Sequence, residues 1–325
     1  MQALYWERKG SNVICKLCPH HCTIQEGKLG LCGVRKNEHG VLQSLVYENV
    51  SAVSLDPIEK KPLHHFFPGS SVLSFGTVGC NLACAHCQNA DIAQTFSSFG
   101  EQYTVQKLVT NDYPLIAATY NEPTIYYEFM LSAFKAARER KKKTIMVSNG
   151  FIEEKPLRAL LGFLDAANID LKGSDTFYCS TCRGRLDPVQ QTISLLHQAG
   201  VWLELTYLLI PTKNDNKEDI RLLFSWIVET VGKDVPLHIS AFYPMHKIKD
   251  VQRTSIRQLN MAYDIATSLG IHFVYVGNVV DDRTNTYCPQ CKTLLIEREK
   301  FQVNVHAKGG VCPTCSTVLP GVWKD

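Results

Sequence analysis

An α/β fold, a partial or full (β/α) barrel with small cysteine-rich metal-binding extensions at both ends, is what the sequence predicts. Two observations carry the expectation. Short β-rich apolar runs alternate with helical stretches through the middle of the chain, and the thirteen cysteines fall mostly in groups at the margins of that alternation.

The apolar runs lie at 71–78, 115–119, 144–147, 167–171, 201–210, 237–242 and 271–276. Between them, helices are expected at 105–109, 125–140, 156–164, 188–199, 217–231 and 255–269, several with apolar residues at three- and four-residue spacing, as in Ile220, Leu223, Phe224 and Ile227. Strands alternating with helices imply right-handed crossovers and a parallel sheet. The boundaries follow: a cysteine-rich extension at 1–70, the barrel at 71–280 and a ribbon-like module at 281–325.

Composition bounds the function classes. The chain has 325 residues, 45% hydrophobic and 20% charged, which suits a globular protein with an ample core. A net charge of +3 gives no reason to expect a nucleic-acid or membrane partner, and the basic run at 138–143 reads as a solvated helix end. The amino terminus lacks the apolar stretch of a secretory signal, and no run approaches the ~18 apolar residues of a membrane span. A cytoplasmic location is therefore expected. In that reducing compartment, clustered cysteines point to metals or redox chemistry rather than disulfides.

The central group reads GTVGCNLACAHCQN, with Cys80, Cys84 and Cys87 in C-x3-C-x2-C spacing after the first strand. Three thiolates on one loop can ligate three irons of a 4Fe–4S cluster and leave the fourth open, which is a catalytic feature. Zinc, with His86 as fourth ligand, fits less well, since closed zinc sites usually pair two C-x2-C knuckles from separate segments. Chemistry on such barrels sits at the carboxyl ends of the strands. Asn121, Glu122 and Pro123 follow the second strand, Ser148 and Asn149 end the third, Asp170 and Lys172 end the fourth, and His246 follows the sixth. Each has a bland reading as a turn or cap residue, and their shared rim is what raises them to candidates.

The flanking groups differ. Cys288-x2-Cys291, twenty residues, then Cys312-x2-Cys315 is a zinc-ribbon pattern that closes a tetrahedral four-sulfur site, with rubredoxin-type iron as the alternative. Cys15, Cys18, Cys22 and Cys32 suit zinc or a second Fe–S cluster, with His20 or His21 able to replace one thiolate; a structural metal is the preferred reading. Cys179 and Cys182 follow the fourth strand. They read first as incidental thiols, with Cys182 as a candidate hydrogen-atom donor or substrate contact.

The C-x3-C-x2-C loop resembles that of the radical S-adenosylmethionine (SAM) superfamily, and the core resembles the activating enzymes of glycyl-radical proteins, as in pyruvate formate-lyase activation. The segments CKLCPHHCTIQEGKLGLCGVR, YNEPT, IDLKG, LELTYLLIPTKND and VYVGN, with the carboxyl-terminal cysteine pairs, further resemble the radical SAM component of the AmmeMemoRadiSam system. That resemblance implies a 4Fe–4S cluster at Cys80, Cys84 and Cys87 and a reductive cleavage of SAM. It implies Asn121, Glu122 and Pro123 near the SAM amino group, and Ser148 and Asn149 near its carboxylate. It further implies Lys172 near the carboxylate or ribose with Asp170 orienting neighbours, His246 near the ribose and His86 near the adenine. Val147 departs from the pattern, because activating enzymes commonly carry an acid there. An electron donor of flavodoxin or ferredoxin type is implied, as are Memo-like and AMMECR-like partner proteins. Two rival readings are an activating enzyme for a glycyl-radical protein and a non-enzymatic zinc scaffold or nucleic-acid-binding protein. The lack of a basic, aromatic-studded stripe weighs against nucleic acid.

Overall fold

The computed structural model describes residues 1–95, 100–299 and 302–324. Its centre is an eight-stranded sheet made of β1 (Ala52–Pro57), β2 (Ser71–Gly76), β3 (Leu115–Ala118), β4 (Lys143–Ser148), β5 (Ala166–Asp170), β6 (Trp202–Leu209), β7 (Leu237–Ala241) and β8 (Val274–Gly277). Strands β2 to β8 run parallel, and β1 pairs antiparallel with β2 at one edge. The strand order follows the chain order without reversal. With right-handed crossovers this puts the connecting helices on one face and leaves the other to line an interior, as in a barrel. The sheet stays open, since β1 and β8 are both edges. All seven expected strands are present, and β1 is an addition upstream of residue 71.

The principal crossover helices are α1 (Tyr127–Glu139), α2 (Glu154–Leu161), α3 (Leu186–Gln198), α4 (Lys217–Val231) and α5 (Ile256–Ser268). Their starts are written in the sequence. Asn216 caps α4 by accepting from the amides of Glu218 and Asp219, and Ser255 with Gln258 forms a capping box on α5. Ile220, Leu223, Phe224, Ile227 and Val231 are the buried stripe of α4. The stretch expected as one helix from 125 begins instead as a 3-10 turn, Pro123–Tyr126, because Glu122 caps it with its own carboxylate on the Thr124 amide and Pro123 occupies the first turn.

The amino-terminal extension folds as a three-stranded antiparallel sheet (Trp6–Lys9, Asn12–Cys15, Thr23–Ile24) and a hairpin (Arg35–Glu38, Val41–Ser44). A buried ion pair anchors it to α1: both terminal nitrogens of Arg35 donate to Glu128 at 3.0 Å, and Glu128 also accepts from the Leu4 amide. The carboxyl-terminal module is a three-stranded ribbon (Thr286–Tyr287, Leu294–Glu299, Gln302–Val305) whose core joins Phe273 and Tyr275 at the barrel's end. Among the described residues, no helix is long and apolar enough to cross a membrane.

Candidate active site

The carboxyl edge of the parallel sheet opens onto a cleft containing about 1550 Å³ of space not filled by atoms, part of it open to solvent. Ten residues singled out from the sequence line it: Cys80, Cys84, His86 and Cys87 from the loop after β2, and Asn121 and Glu122 after β3. Ser148 and Asn149 at the end of β4, with Asp170 and Lys172 at the end of β5, complete them. Pro123, His246 and Cys182 lie outside the lining.

Local geometry explains how the cysteine loop is held. Gly76 lies where a Cβ would meet the Thr119 carbonyl at 2.5 Å, so β2 can approach the loop after β3 only with glycine there. Asn121 then binds across the gap, accepting from the Thr77 amide at 3.0 Å and donating to the Gly79 carbonyl at 2.9 Å. Asn149 donates to Asn81 at 2.9 Å and to the Cys80 sulfur at 3.7 Å, and the Leu82 amide donates to the same sulfur at 3.4 Å. The amides of Ala83 and Ala85 donate to the carbonyls of Cys182 and Thr181, in the π-helical turn Tyr178–Cys182.

Glu122 is the hinge of the arrangement. It is 2% exposed, and its carboxylate accepts from the Ser148 hydroxyl at 2.8 Å and from the amides of Thr124 and Asn149, each at 2.9 Å. Burial pushes its pKa up, and those donors pull it only part of the way back, so the carboxyl stays above the usual carboxylate range. Three of its roughly four acceptor positions are used, which leaves one for a donor arriving through the cleft.

Lys172 donates to Asp170 at 2.6 Å. Burial disfavours its charge, yet Asp170, Cys84, Tyr178 and Cys182 outweigh that and raise it well above the ordinary lysine value, so it stays an ammonium. His86 is buried and its ring lies 5.7 Å from that of Phe177; burial, then Lys172, holds it down to about 3, a neutral imidazole. The Cys84 thiol is lowered first by a hydrogen bond with Cys182 and by Lys172 further on, whereas burial raises Cys80 and Cys87. Sulfur and nitrogen of Cys84, His86 and Cys182 lie within 4.8 Å of one another, and Cys182 is fully buried against this loop. His246 reaches the loop indirectly: its Nε2 pairs with Gln94 at 3.1 Å, and Gln94 donates to the Cys84 carbonyl.

The cleft also contains residues the sequence reading passed over. Lys61 donates to Asp56 at 2.8 Å, and Tyr120 donates to the same carboxylate at 2.6 Å. Asn168, Thr206 and Ser240 are polar positions within mostly apolar strands, and Asn278 follows β8. A polar residue breaking an apolar strand was the available signal for the first three; Asp56 and Lys61 carried none.

The donor set fits an Fe–S cluster. Three thiols on one loop face the cleft, and they do not form a group with ligand atoms all within 4.8 Å of one another, so they are spread wider than a single shared ion requires. The Radical SAM superfamily profile matches residues 75–224, which begins in β2 and takes in every one of these loops up to α4. The chain contains a radical SAM superfamily domain. Such a domain implies an enzyme that uses a 4Fe–4S cluster and SAM.

Among its relatives, an uncharacterized protein, MJ0808, of Methanocaldococcus jannaschii is 40% identical over 325 residues, covering 97% of each chain. A putative glycyl-radical enzyme activating enzyme of Haemophilus influenzae is 28% identical over 182 residues, 50% of this chain and 70% of that one. The crystal structure of a radical SAM methyltransferase from Sphaerobacter thermophilus matches this radical SAM chain with a TM-score of 0.53 at 15% identity, covering 65% of this chain and 67% of the other, a likeness of fold.

In the carboxyl-terminal module, Cys288 and Cys315 are 3.6 Å apart, as are Cys291 and Cys312, and all four sulfurs lie within 4.8 Å of one another. A tetrahedron with Zn–S bonds near 2.3 Å has edges of about 3.8 Å. This compact set suits one metal ion.

Proposed function

We propose that this protein binds SAM in the cleft at the carboxyl edge of its sheet and cleaves it reductively, acting on a further substrate, with Cys80, Cys84 and Cys87 holding the cluster. The observation that carries the reading is the convergence of three loop thiols with Glu122, Ser148, Asn149 and Lys172 on one cleft. When bound, the cluster supplies the electron that splits the sulfonium C–S bond, yielding methionine and a 5′-deoxyadenosyl radical.

The chain's own residues bind and orient. Glu122 offers its remaining acceptor position to the SAM ammonium, and its clamp on Ser148 and Asn149 keeps the loops after β3 and β4 in register with the cysteine loop. Lys172, held charged beside Asp170, meets the SAM carboxylate or ribose. His86, neutral and beside Phe177, presents an imidazole face to the adenine, and His246 steadies the cysteine loop through Gln94 on the ribose side. Cys182 seats Cys84, donating where the thiolate accepts. Val147 lines the cleft where activating enzymes commonly have an acid, so no carboxylate cation site is assigned there. The carboxyl-terminal cysteines hold zinc as a structural ion.

The sequence resemblance extends the proposal to Memo-like and AMMECR-like partners and to a flavodoxin- or ferredoxin-type electron donor. A second reading, activation of a glycyl-radical protein, is favoured by the Haemophilus relative; a glycyl-radical EPR doublet on a partner would establish it.

The test is anaerobic reconstitution with iron and sulfide, then SAM and dithionite, followed by assay for 5′-deoxyadenosine. Wild type is expected to form it and Cys84→Ala to form none. Zinc alone after reconstitution, or equal product from both proteins, would overturn the proposal.

A further inference from the structure

Cys15, Cys18, Cys22 and Cys32 line one small cavity between the amino-terminal extension and the barrel. About 340 Å³ there is not filled by atoms, part of it open to solvent, and the exposed lining is almost wholly non-polar. Burial raises the Cys15, Cys18 and Cys32 thiols, and the backbone amides two residues along, those of Leu17, His20 and Val34, pull them part of the way back. The same i to i+2 pattern serves Cys80 through Leu82. It is an arrangement that steadies thiolates bound to metal.

Distance separates one ion from several. Two ligands of one zinc cannot lie more than about 4.6 Å apart, twice the Zn–S bond. The carboxyl-terminal four meet that limit closely, but the amino-terminal four form no group of three with sulfurs all within 4.8 Å. Cys80, Cys84 and Cys87 form no such group either. A second observation concerns what the cavity must accept. Arg35 Nε is buried without a hydrogen-bond partner, and Arg35 lines it. Arg35 cannot turn elsewhere, because its other two nitrogens are tied to Glu128 and to the Leu4 carbonyl. A stranded guanidinium N–H on a residue lining a cavity ringed with thiols calls for an anionic occupant rich in acceptors.

We propose that Cys15, Cys18, Cys22 and Cys32 hold a second 4Fe–4S cluster, whose sulfurs accept from Arg35. With four thiolates every iron is capped, so this site takes up and gives up electrons and binds no substrate. It shares a wall with the SAM cleft. Asn81, next to Cys80, lines the cavity and its carbonyl pairs with His20 at 2.7 Å; a Cβ on Gly79 would meet the Cys32 carbonyl at 2.6 Å. The donor set stands on its own, whereas the value of that shared wall rests on the proposed SAM chemistry.

The test is iron, acid-labile sulfide and zinc per chain after anaerobic reconstitution, in wild type and in two variants. One variant is Cys80→Ala/Cys84→Ala/Cys87→Ala and the other is Cys15→Ser/Cys18→Ser. Two cubanes predict about eight irons and eight sulfides in wild type, and about four of each in either variant. The wild-type count decides even where a variant fails to fold, because one loop of three cysteines holds a single cluster and a mononuclear ribbon site adds no sulfide. Four irons in wild type, all lost from the triple variant, with a second zinc present, would overturn this inference and leave the SAM reading standing. Four irons that survive the triple variant and vanish from the double one would uphold it and remove the cluster assigned to Cys80, Cys84 and Cys87.

Discussion

At the carboxyl edge of the sheet, Ser148, Asp170 and Lys172 end their strands in a cleft. At the amino edge, Glu204, His238 and Tyr275 start theirs beneath a lid made of the ribbon and the segment around His64 and His65. Both edges bury charge and imidazole. At the cleft, groups such as Glu122 keep acceptor positions open toward it. At the sealed edge Glu204 uses all its positions: it accepts from the His64 and His65 amides at 2.9 and 2.8 Å, from the Trp202 indole at 3.0 Å and pairs with His238 at 2.6 Å, while His64 Nδ1 and Arg298 Nε nearby have no hydrogen-bond partner. His65 in turn joins Tyr275 to the Pro320 carbonyl, and Arg298 donates to Thr286 and to the His64 carbonyl. The lesson is that a carboxylate with every position used, such as Glu204, fixes modules to a barrel, whereas one with a position left open, such as Glu122, is where a ligand completes the set.

The largest effect that separates the two edges is expected from Glu204→Ala. It strands four donors in the interior and should cost about 3–5 kcal/mol of unfolding free energy, read by urea denaturation, with 5′-deoxyadenosine formed per reconstituted cluster unchanged. Lost SAM cleavage at unchanged stability would erase the distinction.

A smaller effect comes from acid. Burial holds His65 down to about 4 from its ordinary 6.5, and His64 well below its ordinary value. The folded state therefore binds fewer protons than the unfolded one. The stability this provides is present above pH 6.5 and is lost as pH falls toward 4, about 3 kcal/mol for His65. Urea midpoints should fall steadily across that window, and a flat profile would argue that the sealed edge is wet.

The cleft edge was legible because each motif follows a strand, so alternation alone put Asn121, Ser148, Asp170 and their neighbours on one rim. The sealed edge was not, since His64 and Glu204 are 140 residues apart and nothing local marks them as partners. The edge strand Ala52–Pro57 was also hidden, being partly exposed and ending in proline. Spacing read the carboxyl-terminal cysteines as a single-ion site, and the compact sulfurs suit that. For the amino-terminal four it left zinc and a cluster open, because spacing along a loop does not give the distance between sulfurs.

The central claim is that the cluster at Cys80, Cys84 and Cys87 keeps one iron free for SAM. EPR of the dithionite-reduced wild-type protein, recorded with and without SAM, tests it most directly. The account predicts that SAM moves the g-values of a cluster signal and that the Cys84→Ala protein lacks the responsive signal. A wild-type spectrum unchanged at saturating SAM would contradict it.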